Sequence, residues 1–374
     1  MQDARVATSP VRPAKRPRSE SISEIPPPAT GHPEFYLKAD PLCVIRVENT
    51  IFKVHRYLLT QASPVFASMF ELPQGDLCVE GTSEEAPIVL AGDSAKDFGA
   101  LMKYLYEPGR NLVLQDRDMP ASELQAIFGV ARLAHKYEMI TWQAWAGRTL
   151  RSLISLHGAN FSSEDLVECF ELSYKLPDKQ LAPRVSSLWV RRIVKGELPI
   201  VPALDAGEAH NRRSFLSNLY EHELRRLPAS PTPTTPLSFP GFKPIHIQRI
   251  FVGNWSLNAS WTAFVAQPIN IRAATCVQQH IHDRICVPLA SRAWKDAVSS
   301  SVAQYPNITG LSSRLAVLQR VFSEGTGSTQ AQYAMACRYT MSQDPQDPFV
   351  KAMNELSNLV NHFYAADPKG AGAA

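Results

Sequence analysis

The sequence predicts a mixed α+β fold in its first part, followed by a mainly α-helical region. Two runs dense in apolar and β-branched residues, Asp40–Val47 and Ile51–Val54, flank the turn-forming residues 48–50 and predict a β-hairpin. A third short apolar run, Pro87–Ala91, is bounded by turn residues and predicts another strand. Elsewhere, apolar residues recur at intervals of three and four, which is the spacing of amphipathic helices.

The composition is that of a globular protein with little net charge. A length of 374 residues exceeds that of a usual single domain, and 45% hydrophobic with 20% charged residues predicts a well-packed core. The formal net charge of +3 is too small to indicate a nucleic-acid-binding surface. Nucleic acid is therefore not the expected kind of partner.

The cysteines and the apolar stretches indicate a reducing compartment. Six cysteines are scattered over the chain, whereas secreted disulfide scaffolds are short and dense in cysteine. The N-terminal residues contain no apolar stretch that resembles a signal peptide, and no run of about 18 apolar residues occurs. We therefore expect the nucleus or the cytoplasm, and no membrane span.

Shifts in composition divide the chain into six predicted segments. These are a disordered basic, Pro-rich arm at 1–33, the α+β domain at 34–155, a helical extension at 156–227, a Pro-rich linker at 228–244, a mainly helical unit at 245–366 and a disordered tail at 367–374. The linker is predicted because six prolines, with Ser and Thr between them, fall in those 17 residues.

Capping residues predict where the helices of the α+β domain begin. A short helix is expected over His55–Gln61. Ser63-Pro64 predicts the next start, because serine accepts hydrogen bonds from exposed amides and proline fits the first turn. Asp93 or Ser94 is expected to cap the helix that carries Phe98.

Later helices are predicted in the same way. Ser122 with Gln125 predicts a capping box, and Ser162 with Asp165 marks another start. Further helices are expected over Thr141–Ile154, 311–323, 329–341 and 348–364. The loose alternation of Ile245–Phe251 leaves a strand open at the start of the last unit.

A set of short motifs accompanies this order of elements. One is Phe-x-aliphatic-His-basic with a following aliphatic pair; others are Ser-Pro-x-Phe, Met-Phe, an aromatic helix end and Ala-x-x-Ala-x-basic-Tyr. The matching residues are Asp40, Phe52–Leu59, Ser63–Phe66, Met69-Phe70, Tyr104–Tyr106 and Ala131–Tyr137. The combination resembles the BTB/POZ domain over about 35–155. The whole chain looks like the expanded fungal type, in which helices follow that domain.

The resemblance implies a two-fold dimer face on the first helices of the domain. Exposed members of one set would contact a second copy, and core packing is the alternative for each. The set is Tyr57, Leu58, Val65, Phe66, Met69 and Phe70. Asp40 and Arg56 match a charged pair that lines a groove at the dimer interface of transcriptional members, with a simple surface charge as the alternative. His55 is expected to satisfy nearby backbone groups.

The function implied by the resemblance is that of a non-enzymatic protein-interaction module, a homodimeric scaffold or adaptor. Lys15, Arg16 and Arg18 form a basic cluster that predicts nuclear import, and hence a nuclear regulator of transcription. The alternative is a substrate adaptor of a cullin-type ubiquitin ligase. Such adaptors favour a hydrophobic-x-Glu element, which Leu114-Gln115-Asp116 only approximates because it ends in Asp.

No pattern for catalysis or cofactor binding occurs in the sequence. A Gly-rich phosphate loop, a G-x-S-x-G element and an H-E-x-x-H helix are all missing. Cys276 and His280 would share one helical face, while His282 and Cys286 would point to another, so no zinc site is predicted. No catalytic, cofactor-binding or metal-binding residue is assigned. An unrecognised ligand-binding or enzymatic C-terminal domain is the alternative from another class.

Overall fold

The computed structural model describes residues 42–72, 80–107, 119–228, 237–266, 280, 282–323 and 348–366. From Leu42 onward the described residues belong to one compact unit. Several predictions lie outside the described residues: the arm 1–33 with Lys15, Arg16 and Arg18, then Asp40, the element 114–116, the helix 329–341 and the tail 367–374.

A three-stranded sheet forms the first layer, and its hairpin confirms the prediction. Strand β1 (Leu42–Val47) pairs antiparallel with β2 (Thr50–His55), so that Leu42 lies opposite His55. Glu48 takes a positive φ of 52° in the turn between them. Strand β3 (Ile88–Val89) runs parallel to β1 on its other side, giving the order β2-β1-β3. It is shorter than the predicted run Pro87–Ala91.

Five helices complete the first part of the fold. They are α1 (Arg56–Ala62), α2 (Pro64–Glu71), α3 (Ala95–Tyr106), α4 (Leu124–Lys136) and α5 (Ile140–His157). The predicted start at Ser63-Pro64 is confirmed, because the Ser63 hydroxyl accepts a hydrogen bond from the Phe66 amide at 3.1 Å. The inner face of the sheet, with Ile45 and Val47 fully buried, packs into the same core as these helices.

Two predicted caps are wrong. Ser94 precedes α3 but forms no side-chain cap, and the Glu48 carboxylate accepts from the Ala95 amide instead, at 2.9 Å. The predicted box of Ser122 with Gln125 does not form: Leu124 begins α4 after a 3₁₀ turn, and Gln125 donates to Asp165. In both cases a residue far away in the sequence makes the hydrogen bond.

Helices make up the regular structure of the remaining described residues. They are α6 (Ser163–Lys175), α7 (Leu181–Val194), α8 (Val201–Ala209), α9 (Arg213–Arg226), α10 (Pro244–Ala266), α11 (Val287–Gln304), α12 (Leu311–Ser323), α13 (Pro348–Ser357) and α14 (Leu359–Phe363). The capping box of Ser162 and Asp165 is confirmed. Among the described segments, no helix is both long and apolar enough to cross a bilayer.

The strand left open for Ile245–Phe251 is wrong, because this run lies inside helix α10. Its buried residues are His246, Ile250, Gly253, Leu257 and Trp261. That spacing of three and four places one face of α10 against its neighbours, and helix rather than strand is the structure that buries it.

Arg132 on α4 connects the first part of the fold to the helical region. Its guanidinium donates two hydrogen bonds to the Asp97 carboxylate of α3, at 2.8 and 2.9 Å, and one to Glu168 of α6 at 2.7 Å. Gly129, one turn earlier on α4, faces Asp97 so closely that a Cβ atom there would lie 2.7 Å from Oδ1. The planar guanidinium fork suits this bidentate arrangement and ties three helices together.

Candidate protein-interaction surface

Helices α1 and α2 are anchored by one fully buried side chain each. Leu59 of α1 and Phe66 of α2 are both 0% exposed. Phe66 stacks on Tyr137, with the ring centroids 4.4 Å apart. The Ser63 hydroxyl donates to the Tyr137 carbonyl at 2.6 Å, so the junction between the two helices is fixed to the end of α4.

The burial pattern sorts the six residues predicted for a dimer face. Phe66 belongs to the core and offers no surface to a partner. Val65, Met69 and Phe70 are half-buried against that core. Tyr57, at 39% exposed, and Leu58, partly exposed, remain accessible on α1.

One apolar residue of this surface, Leu72, is not among the residues predicted from the sequence. It follows α2 directly and is 64% exposed. Its accessibility depends on where α2 ends, and no local pattern in the sequence fixes that point. We call Tyr57, Leu58 and Leu72 the α1–α2 face.

Arg56 contacts Phe70 of the same chain. Its guanidinium donates to the Phe70 carbonyl at the end of α2 and lies 4.5 Å from the centroid of the Phe70 ring. These contacts join the start of α1 to the end of α2. The partner predicted for Arg56, Asp40, lies outside the described residues, so the charged pair stays a prediction.

His55 differs from the structural role expected of it. Its ring is exposed, and its backbone amide donates to the Tyr106 hydroxyl at 2.8 Å. The same hydroxyl lies 2.8 Å from His55 Nδ1. Tyr106 thus satisfies the last amide of β2 while its own side chain stays 43% exposed. Tyr106 was noted in the sequence as part of an aromatic helix end, but its contact with β2 was not predicted.

Hydrogen bonds from Tyr137 and Lys136 to Asp93, which we call the buried brace, hold the Tyr137 ring against Phe66. The Tyr137 hydroxyl donates to Asp93, whose carboxylate also accepts from Lys136 Nζ at 2.6 Å. Burial, and then the Asp93 carboxylate, raises the pKa of Tyr137 well above its usual value of 10.0. The hydroxyl therefore stays protonated as the donor to Asp93.

A shallow groove of about 390 Å³ lies beside β3, the edge strand of the sheet within the described residues. Its lining residues are Arg46, Glu48, Val89, Leu90, Ala91, Gly92, Asp93 and Ser94. Glu48 and Asp93 are already engaged, in the cap of α3 and in the brace of Tyr137. Across the described ranges, no group of three or more His, Cys, Asp or Glu side chains could hold a metal ion.

The exposed apolar side chains of the α1–α2 face are thus accessible to another protein. Comparison with known families agrees: residues 41–143 match the family model of the BTB/POZ domain. No curated protein matches the chain. The BTB/POZ domain is a protein–protein interaction domain, and nine described helices follow α5 in this chain. The chain therefore carries a BTB/POZ interaction domain at residues 41–143, followed by a helical region.

Proposed function

We propose that this protein is a homodimeric, non-enzymatic scaffold or adaptor that pairs through the α1–α2 face. The observation that carries the proposal is the accessibility of Tyr57, Leu58 and Leu72 beside an anchored helix pair. Large exposed apolar side chains on a rigid surface are typical of the core of an interface.

Charge supports the same surface. Between Arg56 and Glu71 the sequence of α1 and α2 contains no charged residue. Arg56 itself is directed at Phe70. Depletion of charge is the compositional mark of an interface core, because a charge buried there would lose its hydration. A two-fold axis would place the same face of two copies against each other.

Sedimentation velocity on the full chain tests the proposal. We expect the wild type to sediment as a dimer of the 41.5 kDa chain at micromolar concentration. A double variant, Leu58→Asp with Leu72→Asp, should sediment as a monomer, because two carboxylates per chain would be buried without partners. Unchanged circular dichroism would show that the variant is folded.

Val194→Asp is the matched control for this experiment. Val194 ends α7 and is 54% exposed, so it receives the same substitution on an exposed apolar side chain of a helix that packs against α5, α6 and α9. It should leave the dimer intact. A monomeric wild type, or a double variant that remains dimeric, would contradict the proposal.

The place of action is part of the proposal. We place the protein in the nucleus, as a regulator that acts through protein partners, on the strength of the basic cluster Lys15, Arg16 and Arg18. Changing all three to Ala in a fluorescently tagged chain should shift the protein to the cytoplasm. The cullin-adaptor alternative predicts that a cullin co-purifies with the wild type and is lost when Leu114 is changed to Asp.

A further inference from the structure

Helix α14 docks into a groove between α9 and α10 through an aromatic pair. Phe363 is 1% exposed, and its ring centroid lies 5.5 Å from that of Tyr220 on α9. The other side of the Phe363 ring lies against Gly253 of α10, where a Cβ atom would overlap it. Glycine is therefore needed at position 253 for α14 to sit this deeply.

Tyr364 completes the docking between two guanidinium groups. Its ring centroid lies 4.7 Å from Arg213 of α9 and 4.4 Å from Arg249 of α10. Arg249 is held in place by donating to Glu208 of α8. A cation over an aromatic face is attracted by the negative charge of the ring face, so both guanidinium groups stabilise the docked Tyr364. The groove thus recognises a Phe-Tyr pair by shape and by charge.

His362 is a buried polar residue within the docked segment. It is 5% exposed, and its Nδ1 lies 2.9 Å from the Ser256 hydroxyl of α10. Its Nε2 is buried without a well-formed hydrogen bond, although the carbonyls of Glu355 and Leu356 act on the ring. A poorly paired buried polar atom destabilises the docked state, and burial would destabilise a positive charge on the same ring further.

The segment that carries α14 is separated from α12 by a long stretch of chain. The 24 residues 324–347 lie between them, outside the described part of the chain. Within the described part, α13 and α14 are held by their contacts with α9, α10 and α12. Release of the docked pair therefore breaks no covalent or secondary structure in α9 or α10.

We propose that residues 348–366 are a tethered ligand of the α9–α10 groove, released when His362 takes up a proton. Docking and release would then alternately cover and expose the site that receives Phe363 and Tyr364. An exposed groove of this kind would accept a helix with the same aromatic pair. The proposal does not depend on dimerisation through the α1–α2 face.

The direction of the pH effect follows from burial. Burial lowers the pKa of His362 below 6.5, and the carbonyls of Glu355 and Leu356 oppose this shift only in part. In the released segment the ring regains its ordinary pKa. Protonation therefore favours release: docking is fully stable above pH 6.5 and weakens as the pH falls below it, until His362 is protonated in the docked state as well.

His246 is the other buried histidine of the region, and its surroundings differ. Its Nδ1 lies 2.9 Å from the Tyr220 hydroxyl, and its Nε2 lies 3.9 Å from the Asp205 carboxylate. Burial lowers the pKa of His246, as do Arg249 and Lys243, while Glu208 and Asp205 raise it. A protonated His246 would lie 3.9 Å from the Asp205 carboxylate, which would stabilise its charge. No charged side chain contributes in this way to the pKa of His362 within the described residues. The titration that matters for docking is therefore assigned to His362.

Hydrogen exchange of the full chain, followed by mass spectrometry, tests this inference. Protection of the amides of 359–366, corrected for the intrinsic rate at each pH, should fall severalfold, by at most about tenfold, between pH 7.5 and pH 5.5 in the wild type. In His362→Asn, which keeps a polar atom for Ser256 but cannot be protonated, the change should be under twofold. His135→Asn, a substitution of an exposed histidine at the end of α4, should behave like the wild type.

Two further measurements keep the outcome decisive. Gly253→Ala should leave 359–366 unprotected at both pH values, which provides the reference for the released state. If His362→Asn matches that reference at pH 7.5, His362→Gln takes its place. Amides of α5 should stay protected throughout. Equal pH dependence in wild type and His362→Asn, no change in the wild type, or parallel loss of protection in α5 would each overturn the proposal.

Discussion

Phe66 and Tyr137 are 71 residues apart in the chain, yet their rings stack with centroids 4.4 Å apart. The contact joins the α1–α2 pair to the end of α4, and the Ser63 hydroxyl reinforces it by donating to the Tyr137 carbonyl. Any partner that binds Tyr57, Leu58 and Leu72 therefore binds a surface already fixed by the core. Preorganisation of this kind lowers the entropy that association must offset.

Truncation of Phe66 should be among the most damaging single changes in the domain. Phe66→Ala removes a fully buried ring and leaves a cavity, so we expect a loss of about 3–5 kcal/mol in the free energy of unfolding. Chemical denaturation measures it. Leu58→Ala is the comparison: its side chain is partly exposed, and the loss should stay near 1 kcal/mol. Similar losses for the two variants would contradict the assignment of Phe66 to the core.

Removal of the Tyr137 hydroxyl tests the buried brace. Tyr137→Phe keeps the stack on Phe66 but leaves Asp93 with Lys136 as its remaining described partner, at an expected cost of about 1–3 kcal/mol at pH 7. Tyr305→Phe, with a side chain 38% exposed, should cost little.

The cost of Tyr137→Phe should shrink in alkali. The folded state raises the pKa of Tyr137, so the hydroxyl stabilises the fold below pH 10. Above that value the unfolded chain loses the proton first, and the stabilisation is lost. Denaturation midpoints of wild type and variant should therefore converge as the pH rises above 10. A constant difference across that range would contradict the role given to the hydroxyl.

Local features of the fold were predictable because their causes lie within a few residues. The hairpin, the start of α2 at Ser63 and the capping box at Ser162 each depend on neighbours no more than a few positions away. The core position of Phe66 was not separable from an interface position by the same means. Both roles call for a large apolar side chain at the same helical spacing, and tertiary packing decides between them.

Interactions between distant residues account for the errors. Glu48 caps α3 from 47 positions away, and Tyr106 satisfies β2 from 51 positions away, so no local window contains both partners. The run Ile245–Phe251 looked strand-like because its isoleucines and phenylalanine favour strands locally. Its helical character depends on a buried face that continues to Trp261, ten positions beyond.

The two serines before α3 and α6 provide a matched test of capping. Ser162→Ala removes the acceptor for the Asp165 amide and should cost about 1 kcal/mol. Ser94→Ala should cost close to nothing, because Ser94 forms no side-chain cap and Glu48 serves the Ala95 amide. Thermal denaturation of the two single variants measures both losses of stability. Equal losses would show that Ser94 caps α3 after all.

Gly129 is the position where α3 and α4 approach most closely at Asp97, and it supports the sharpest packing prediction. A Cβ atom there would lie 2.7 Å from Asp97 Oδ1 and 3.0 Å from its Cα, so Gly129→Ala must push α3 away or distort the carboxylate that Arg132 binds. We expect a loss of about 1–3 kcal/mol by chemical denaturation, the usual cost of overpacking.

Gly99→Ala on α3 is the control for this effect. A Cβ atom there would meet Phe52 Cε1 at 4.0 Å, an ordinary contact, so the better helix propensity of alanine should leave stability unchanged or raise it by about 0.5–1 kcal/mol. The same substitution thus has opposite signs at two helical glycines 30 positions apart. If Gly129→Ala were as harmless as Gly99→Ala, α3 and α4 could not pack as closely as described, and the bidentate contact between Arg132 and Asp97 would not form as it does here.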